Sequence, residues 1–436
     1  MRNAYGWMAI ATRALVVTGT LLIAAGCQDP PIDEPGTAEV EPNSTFRSAT
    51  AVALATDDSA VMTGAIDYAD DVDVFDLGAV SAGDVIAIDV TRRSSALRSG
   101  IALFDTEGEI INQDTDSSVV DANADPSLSH LVRSDEDSIF LAISHNYART
   151  TTGEYEIAVS IERAAKTPTT TSQILLLNFE GGVATDPLIG TVEFDPFDAG
   201  NIDPIYDGST EAMKAVIRST FEQNYERFNV IIIDTDNDER PAAGTYSEVF
   251  FGEYSTLAFG VAQQVDLYNQ SPSDTAIVFT ESFVPHAFGG TPTAEEMAVA
   301  IGNVGTHEAG HILGLSHVRD ATAIMDEASP ASTLLADQEF KSTALSPLVF
   351  PLGLQDSVEL LQVTVGANPL AAKVEWPVQT FVTNSPLPVV LYSTDGLYQT
   401  STSGAPMGKC LNCMMEAEKA GLLPAGIDLH LNHSHD

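Results

Sequence analysis

The chain has 436 residues, with 62 Asp and Glu against 19 Lys and Arg, a formal net charge of −43, 44% hydrophobic and 19% charged residues. So acidic a balance repels phosphate backbones and anionic lipid headgroups, which excludes nucleic-acid binding, while the apolar share is that of a globular chain long enough for two or three domains. Cys27, Cys410 and Cys413 are the only cysteines, too few for a disulfide scaffold.

At the N-terminus, Arg2 and Arg13 precede the apolar run Ala14 to Ala25, and small residues then lead into Cys27. A charged start, a short apolar run and small residues form a signal peptide over 1–26; a bilayer-spanning helix needs a longer run. The stretch Ala24-Ala25-Gly26-Cys27 resembles a bacterial lipobox, although Ala24 stands where Leu is usual. The resemblance implies lipidation of Cys27 and a protein held on the outer face of the bacterial cell envelope by acyl chains; ordinary cleavage and secretion is the alternative. Residues 27–40 are acidic and Pro-rich and read as a tether.

From 41 to 163 the chain turns to short alternating runs, DVDVFDL, DVIAIDV, GIALFDT, IFLAISH and YEIAVSI, separated by Gly, Asp and Ser. Period-two alternation between turn residues predicts an all-β sandwich. Glu41-Pro42-Asn43, Asp71 to Phe75, the turn from Gly100 to Gly108 and Gly153-Glu154-Tyr155 resemble the bacterial pre-peptidase C-terminal domain, whose members accompany secreted peptidases. Asp71, Asp73 and Asp76 read as polar turn and outer-face residues, with a Ca²⁺ site as the alternative.

After the Thr-rich linker 164–173 the texture becomes α/β. ILLLNFEG and NVIIID are buried strands, and the intervening segment carries Met213, Ile217, Phe221 and Phe228 at helical spacing. Further on, Thr293 and Glu296 form a capping box, followed by Met297, Ile301 and Val304 at helical spacing, then His307, Glu308, His311, Gly314 and His317 in the order HExxHxxGxxH. Residues four apart share a helix face, so His307 and His311 can present two imidazoles to one ion. Gly314 can take the left-handed conformation that ends a helix, which brings His317 to the same ion from a loop. Three neutral imidazoles suit one catalytic Zn²⁺ with a fourth position for water, and Glu308 is the candidate general base.

This pattern resembles the metzincin peptidases, and Met325, eight residues after His317, resembles the Met-turn of the matrixin branch. Residues 354–366 look like the closing helix of that domain, so the resemblance covers 174–366. It implies one catalytic Zn²⁺ held by His307, His311 and His317, Glu308 as general base, and a protein or peptide substrate extended along an edge strand. Phe259–Val265 and Ala276–Phe279 are both candidates for that strand. The chain departs from matrixins at Asp326 and Glu327, where Tyr and Pro are usual, so specificity does not carry over. His286 is the only other histidine between 174 and 366, which leaves no second zinc site. The loop Asp234 to Glu239 has carboxylates at alternate positions; a solvated turn is favoured over a Ca²⁺ site because the Gly and Glu of an EF-hand are missing.

The tail, 367–436, contains Cys410, Cys413 and the terminal histidines His430, His433 and His435. A Cys410–Cys413 disulfide is favoured in an oxidising compartment, with a second metal site as the alternative. The sequence thus predicts a multidomain protein, an all-β sandwich followed by an α/β metzincin-like domain with a mixed sheet and a zinc-binding helix. The expected function is that of an extracytoplasmic zinc endopeptidase, and the alternative is a surface adhesion protein that grips peptide without turnover.

Overall fold

The computed structural model describes residues 36–115, 125–145, 151–186, 189–327, 330–370 and 408–410. The signal peptide, Cys27, most of the tether, Cys413 and the terminal histidines lie outside the described residues, and Cys410 is described by its main chain alone. No helix among the described residues is long and apolar enough to cross a membrane.

The alternating runs form β1 (Thr37–Ala38), β2 (Thr50–Ala51), β3 (Ser59–Ile66), β4 (Val72–Asp76), β5 (Val85–Arg92), β6 (Ser99–Phe104), β7 (Ile110–Thr115), β8 (Ser127–Leu131), β9 (Phe140–His145) and β10 (Gly153–Glu162). They make two five-stranded sheets, ordered β1-β3-β10-β5-β8 and β2-β4-β9-β6-β7. In β10 the alternation is strict: Tyr155, Ile157, Val159 and Ile161 face inward between exposed or half-buried neighbours, as expected of a sheet with one wet face. These side chains meet Phe75, Ile101, Leu103, Leu141 and Ile143 of the second sheet. The pairing of β1 with β3 brings the end of the segment read as a tether into the first sheet, where the Glu39 side chain accepts from the Ala65 N–H at 2.9 Å.

The second sheet is buried on both faces. Every residue of β6 and β9 is buried, because Val74, Ala102, Phe104 and Phe140 on its outer side pack against Leu345, Val349 and Phe350 from far down the chain. The outer-face reading of Asp71 and Asp73 is corrected here, since both are fully buried. Tyr155 Oη lies 2.6 Å from Asp73 Oδ2 and 3.1 Å from Glu39 Oε2. One phenolic proton cannot serve two carboxylates, and burial holds the Asp73 carboxyl well above the usual carboxylate range. Asp76 sits at a turn, accepting from the Gly78 N–H at 2.8 Å.

The α/β part consists of β11 (Gln173–Asn178), β12 (Gly182–Asp186), β13 (Gly190–Phe194), α1 (Ala199–Ile202), α2 (Thr210–Tyr225), β14 (Val230–Asp234), β15 (Ser247–Gly252), β16 (Ala258–Ala262), β17 (Thr275–Phe279), α3 (Ala294–His311), β18 (Ser342–Ala344), β19 (Leu354–Asp356) and α4 (Ser357–Val365), with β20 (Gly408–Cys410) from the tail. The main sheet runs β14-β11-β15-β17-β16-β20. Its first four strands are parallel, β16 is antiparallel to β17, and β20 is parallel to β16. The inner parallel strands are buried on both faces, whereas β14, expected to be buried, is an edge strand with Ile231 exposed. Leu175, Leu177, Val249 and Val278 therefore meet Met213, Ile217 and Phe221 of α2 and Met297, Ile301 and Val304 of α3. On the other face, Phe250, Ile277 and Phe279 meet Phe194 and Ala184 of the β12–β13 hairpin. The loop Asp234 to Glu239 is an ion-paired turn, with Asp234 and Asp238 both bonded to Arg218 and Asp234 accepting turn amides from Asp236 and Asn237.

Candidate metal centre

Helix α3 places the centre. The Thr293 hydroxyl accepts from the Glu296 N–H at 3.2 Å and the Glu296 carboxylate accepts from the Thr293 N–H at 2.8 Å, a capping box that fixes where the helix begins. Tyr225 of α2, fully buried and held protonated by that burial, donates to the Thr306 carbonyl at 3.2 Å. The last helical turn, from Thr306 to His311, is inaccessible to solvent.

There the three imidazoles converge. Ring centroids are 4.7 Å apart for His307 and His311, 4.5 Å for His311 and His317, and 5.4 Å for His307 and His317. Each offers a ligand atom within 4.8 Å of the other two. The tautomers follow from the partners: His307 Nδ1 lies 2.8 Å from the Ile324 carbonyl and His311 Nδ1 2.8 Å from the Leu315 carbonyl, so both Nδ1 atoms carry the proton. Their Nε2 atoms lie 3.1 Å apart, a separation at which two nitrogens can share one cation. Tetrahedral zinc with nitrogens at 2.0–2.1 Å would separate two ligand atoms by about 3.3 Å. The donor set therefore fits a divalent metal with a preference for nitrogen.

Glu308 is fully buried and lies beside the sheet edge. A Cβ on Gly260 of β16 would come within 2.6 Å of Glu308 Oε1 and 2.7 Å of its Cγ, so the glycine leaves the room in which this carboxylate sits. Gly314 has φ +96°, the left-handed region that lets the chain reverse after α3. His317 follows on a segment held by three contacts. The Val318 N–H donates to the Met325 carbonyl at 3.0 Å, the Ser346 N–H to the His317 carbonyl at 2.9 Å, and the Ser316 N–H to Gln355 Oε1 at 2.7 Å. Met325 lies beneath α3, where a Cβ on Gly310 would meet its sulfur at 2.6 Å, and the preceding residue supplies the carbonyl that orients His307. Asp326 and Glu327 are buried rather than lining a surface groove; Asp326 accepts from the Asp320 N–H and Glu327 from the Ser346 hydroxyl.

Of the two candidate edge strands, Ala276–Phe279 lies inside the sheet between β15 and β16, whereas Phe259–Val265 overlaps β16 (Ala258–Ala262), the outermost strand before the tail joins it. Four participants escape the sequence: Gly260, Gln355 and the carbonyls of Leu315 and Ile324. Carbonyls leave no trace in residue identity. Gln355 lies in a three-residue strand too short for periodicity to mark.

The matrixin family model matches residues 210–340, which include the three histidines, Glu308 and Met325. No curated protein sequence matches the chain. Among solved structures, the archaemetzincin of Methanopyrus kandleri is similar at 13% identity and a TM-score of 0.24, over 45% of this chain and 96% of its own. A zinc-dependent peptidase of Methanocorpusculum labreanum is similar at 14% identity and a TM-score of 0.23, over 38% and 93%. The pre-peptidase C-terminal domain of a Bacillus anthracis collagenase is similar at 16% identity and a TM-score of 0.19, over 26% and 94%. The family match, together with the histidine triad, supports a zinc metallopeptidase.

Proposed function

We propose that this chain is an extracytoplasmic zinc endopeptidase in which Glu308 is the general base and His307, His311 and His317 hold the metal. The observation that carries the reading is the convergence of three buried imidazoles, each with a ligand atom within 4.8 Å of the other two, the Nδ1 atoms of His307 and His311 being committed to carbonyls. Zinc bound there would lower the pKa of water and polarise a peptide carbonyl. Glu308, next in sequence to His307 and confined between α3 and Gly260, takes the proton of the attacking water on a carboxylate oxygen and returns it to the departing amine. The Ile324 and Leu315 carbonyls keep two imidazoles in the tautomer that presents Nε2 to the ion. Main-chain groups of β16 pair with an extended substrate and align its scissile bond. The charged start, apolar run and lipobox-like stretch ending at Cys27 support export, with attachment to the outer face of a bacterial cell envelope if Cys27 is lipidated and secretion if it is not.

Glu308→Ala is the test. It should leave folding and one zinc per chain intact while cleavage of an unfolded protein substrate falls by about 10²-fold or more, the scale of a general base. Undiminished cleavage refutes the assignment. A wild-type chain that holds zinc and binds unfolded protein without cutting it would establish the adhesion reading instead.

A further inference from the structure

The edge strand of the main sheet is already in use. Gly408–Cys410 of the C-terminal tail adds to β16 as a parallel strand, with Ala258 opposite Gly408 and Gly260 opposite Cys410, and this strand also runs beside α3. Gly260 is the residue whose missing side chain makes room for Glu308. The tail therefore crosses the sheet edge at the level of the general base and not at some remote part of it.

A sheet edge offers one row of N–H and C=O groups, and each row can be paired once. An extended peptide and the tail strand need the same row. We infer that the segment around Gly408–Cys410 is a built-in competitor for the β16 edge, which keeps the cleft self-occupied until the segment is displaced. This inference rests on the peptidase reading for its consequence and on the strand pairing alone for its geometry. The pairing is short, and a parallel pair is slightly less stable per residue than an antiparallel one. It is nevertheless intramolecular, so its occupancy is set by an effective concentration and not by the amount of protein. Such an occupant is strong enough to hold the edge at rest and weak enough to yield to a substrate or to removal of the tail.

Alternate residues of a strand direct their N–H groups to the same neighbour, so replacing two consecutive residues by proline removes a donor to β16 whichever of the two makes it. The test compares the full chain with the double variant Lys409→Pro, Cys410→Pro and with the double variant Lys409→Ala, Cys410→Ala, which keeps both N–H groups. Two readouts are taken: amide hydrogen exchange over Ala258–Ala262, and steady-state cleavage of dye-labelled casein. In the proline variant the β16 amides should exchange faster, and kcat/KM should rise on the order of tenfold through a lower KM, as when about nine-tenths of the cleft is self-occupied. The alanine variant should behave as the parent. Unchanged exchange in the proline variant overturns the inference whatever happens to cleavage. Faster exchange with no gain in cleavage shows an occupant that does not inhibit and overturns it too, as does an alanine variant that matches the proline one. If none of the chains cleaves, the peptidase reading fails, and the inhibitory role falls with it, while the exchange data still report the strand.

Discussion

The centre depends on atoms that are missing as much as on those present. Three imidazoles and a carboxylate crowd one buried volume, and glycines at 260 and 310 leave room for the Glu308 and Met325 side chains. Gly260 is the sharpest case. A methyl group there would lie 2.6 Å from Glu308 Oε1 and 2.9 Å from its Cδ, closer than carbon and oxygen pack. Either β16 retreats from α3 or the carboxylate swings away from its position. With Glu308 as the proposed general base, Gly260→Ala should therefore lower kcat by on the order of tenfold or more, since a misplaced base would forfeit part of a contribution that spans about 10² to 10⁴. Zinc content should be unchanged, because no ligand is touched. Metal analysis beside a cleavage assay reads both quantities, and a variant with parental kcat would show that Glu308 is not confined by the strand.

At the scale of elements, α3 joins stability to function but separates them along its length. Its N-terminal cap lies about 20 Å from the histidine turn at 1.5 Å per residue. Replacing a capping threonine by alanine costs about 1 kcal/mol. Thr293→Ala should accordingly lower the Tm by about 2 to 4 °C while leaving zinc content and kcat at parental values, as thermal melts and a cleavage assay would show. Loss of metal in that variant would mean that the cap sets the helix register at the site. This helix was also the most legible part of the chain. Its cap is written in Thr293 and Glu296, its buried face in Met297, Ile301 and Val304, and its chemistry in His307, Glu308 and His311, all local signals within one element. The strand Gly408–Cys410 is the opposite case: three residues carry no period, and the partner strand lies some 150 positions earlier in the sequence. The choice between β16 and β17 as the edge was equally closed to periodicity, because both runs are apolar and strand order is decided by pairing.

At the scale of the whole molecule, the sandwich is anchored to the α/β part. Phe104 and Phe350 pack as tilted rings with centroids 5.7 Å apart, Tyr268 Oη donates to the Ile111 carbonyl at 2.8 Å, and the Ser342 hydroxyl donates to Glu109 at 3.1 Å. Alternation had marked the inward face of the second sheet, but Val74, Ala102 and Phe140 on its other face are covered by Phe46 together with Leu345, Val349 and Phe350, and the last three are too distant in sequence for patterning to reveal. The same junction gathers carboxylates. Burial above all, then Asp356, Asp105 and Glu359, pushes Glu109 up to about 8, and burial pushes Asp105 up to about 7. A carboxyl whose pKa is higher folded than unfolded binds its proton more tightly in the native state. Its stabilising contribution is therefore complete below the ordinary carboxylate range near 4.5 and is lost as the pH climbs through about 8. Above that, the ionised Glu109 faces Asp356 and Glu359 across the junction. Glu109→Gln keeps the oxygen that accepts from Ser342 and removes the titration. The parental Tm should fall steadily between pH 5 and pH 9, whereas the variant should match it at pH 4.5 and melt at least about 3 °C higher at pH 9. Parallel melting curves for the two proteins across that window would show that this junction does not carry the alkaline sensitivity, and that the sandwich is held to the catalytic part by its apolar contacts alone.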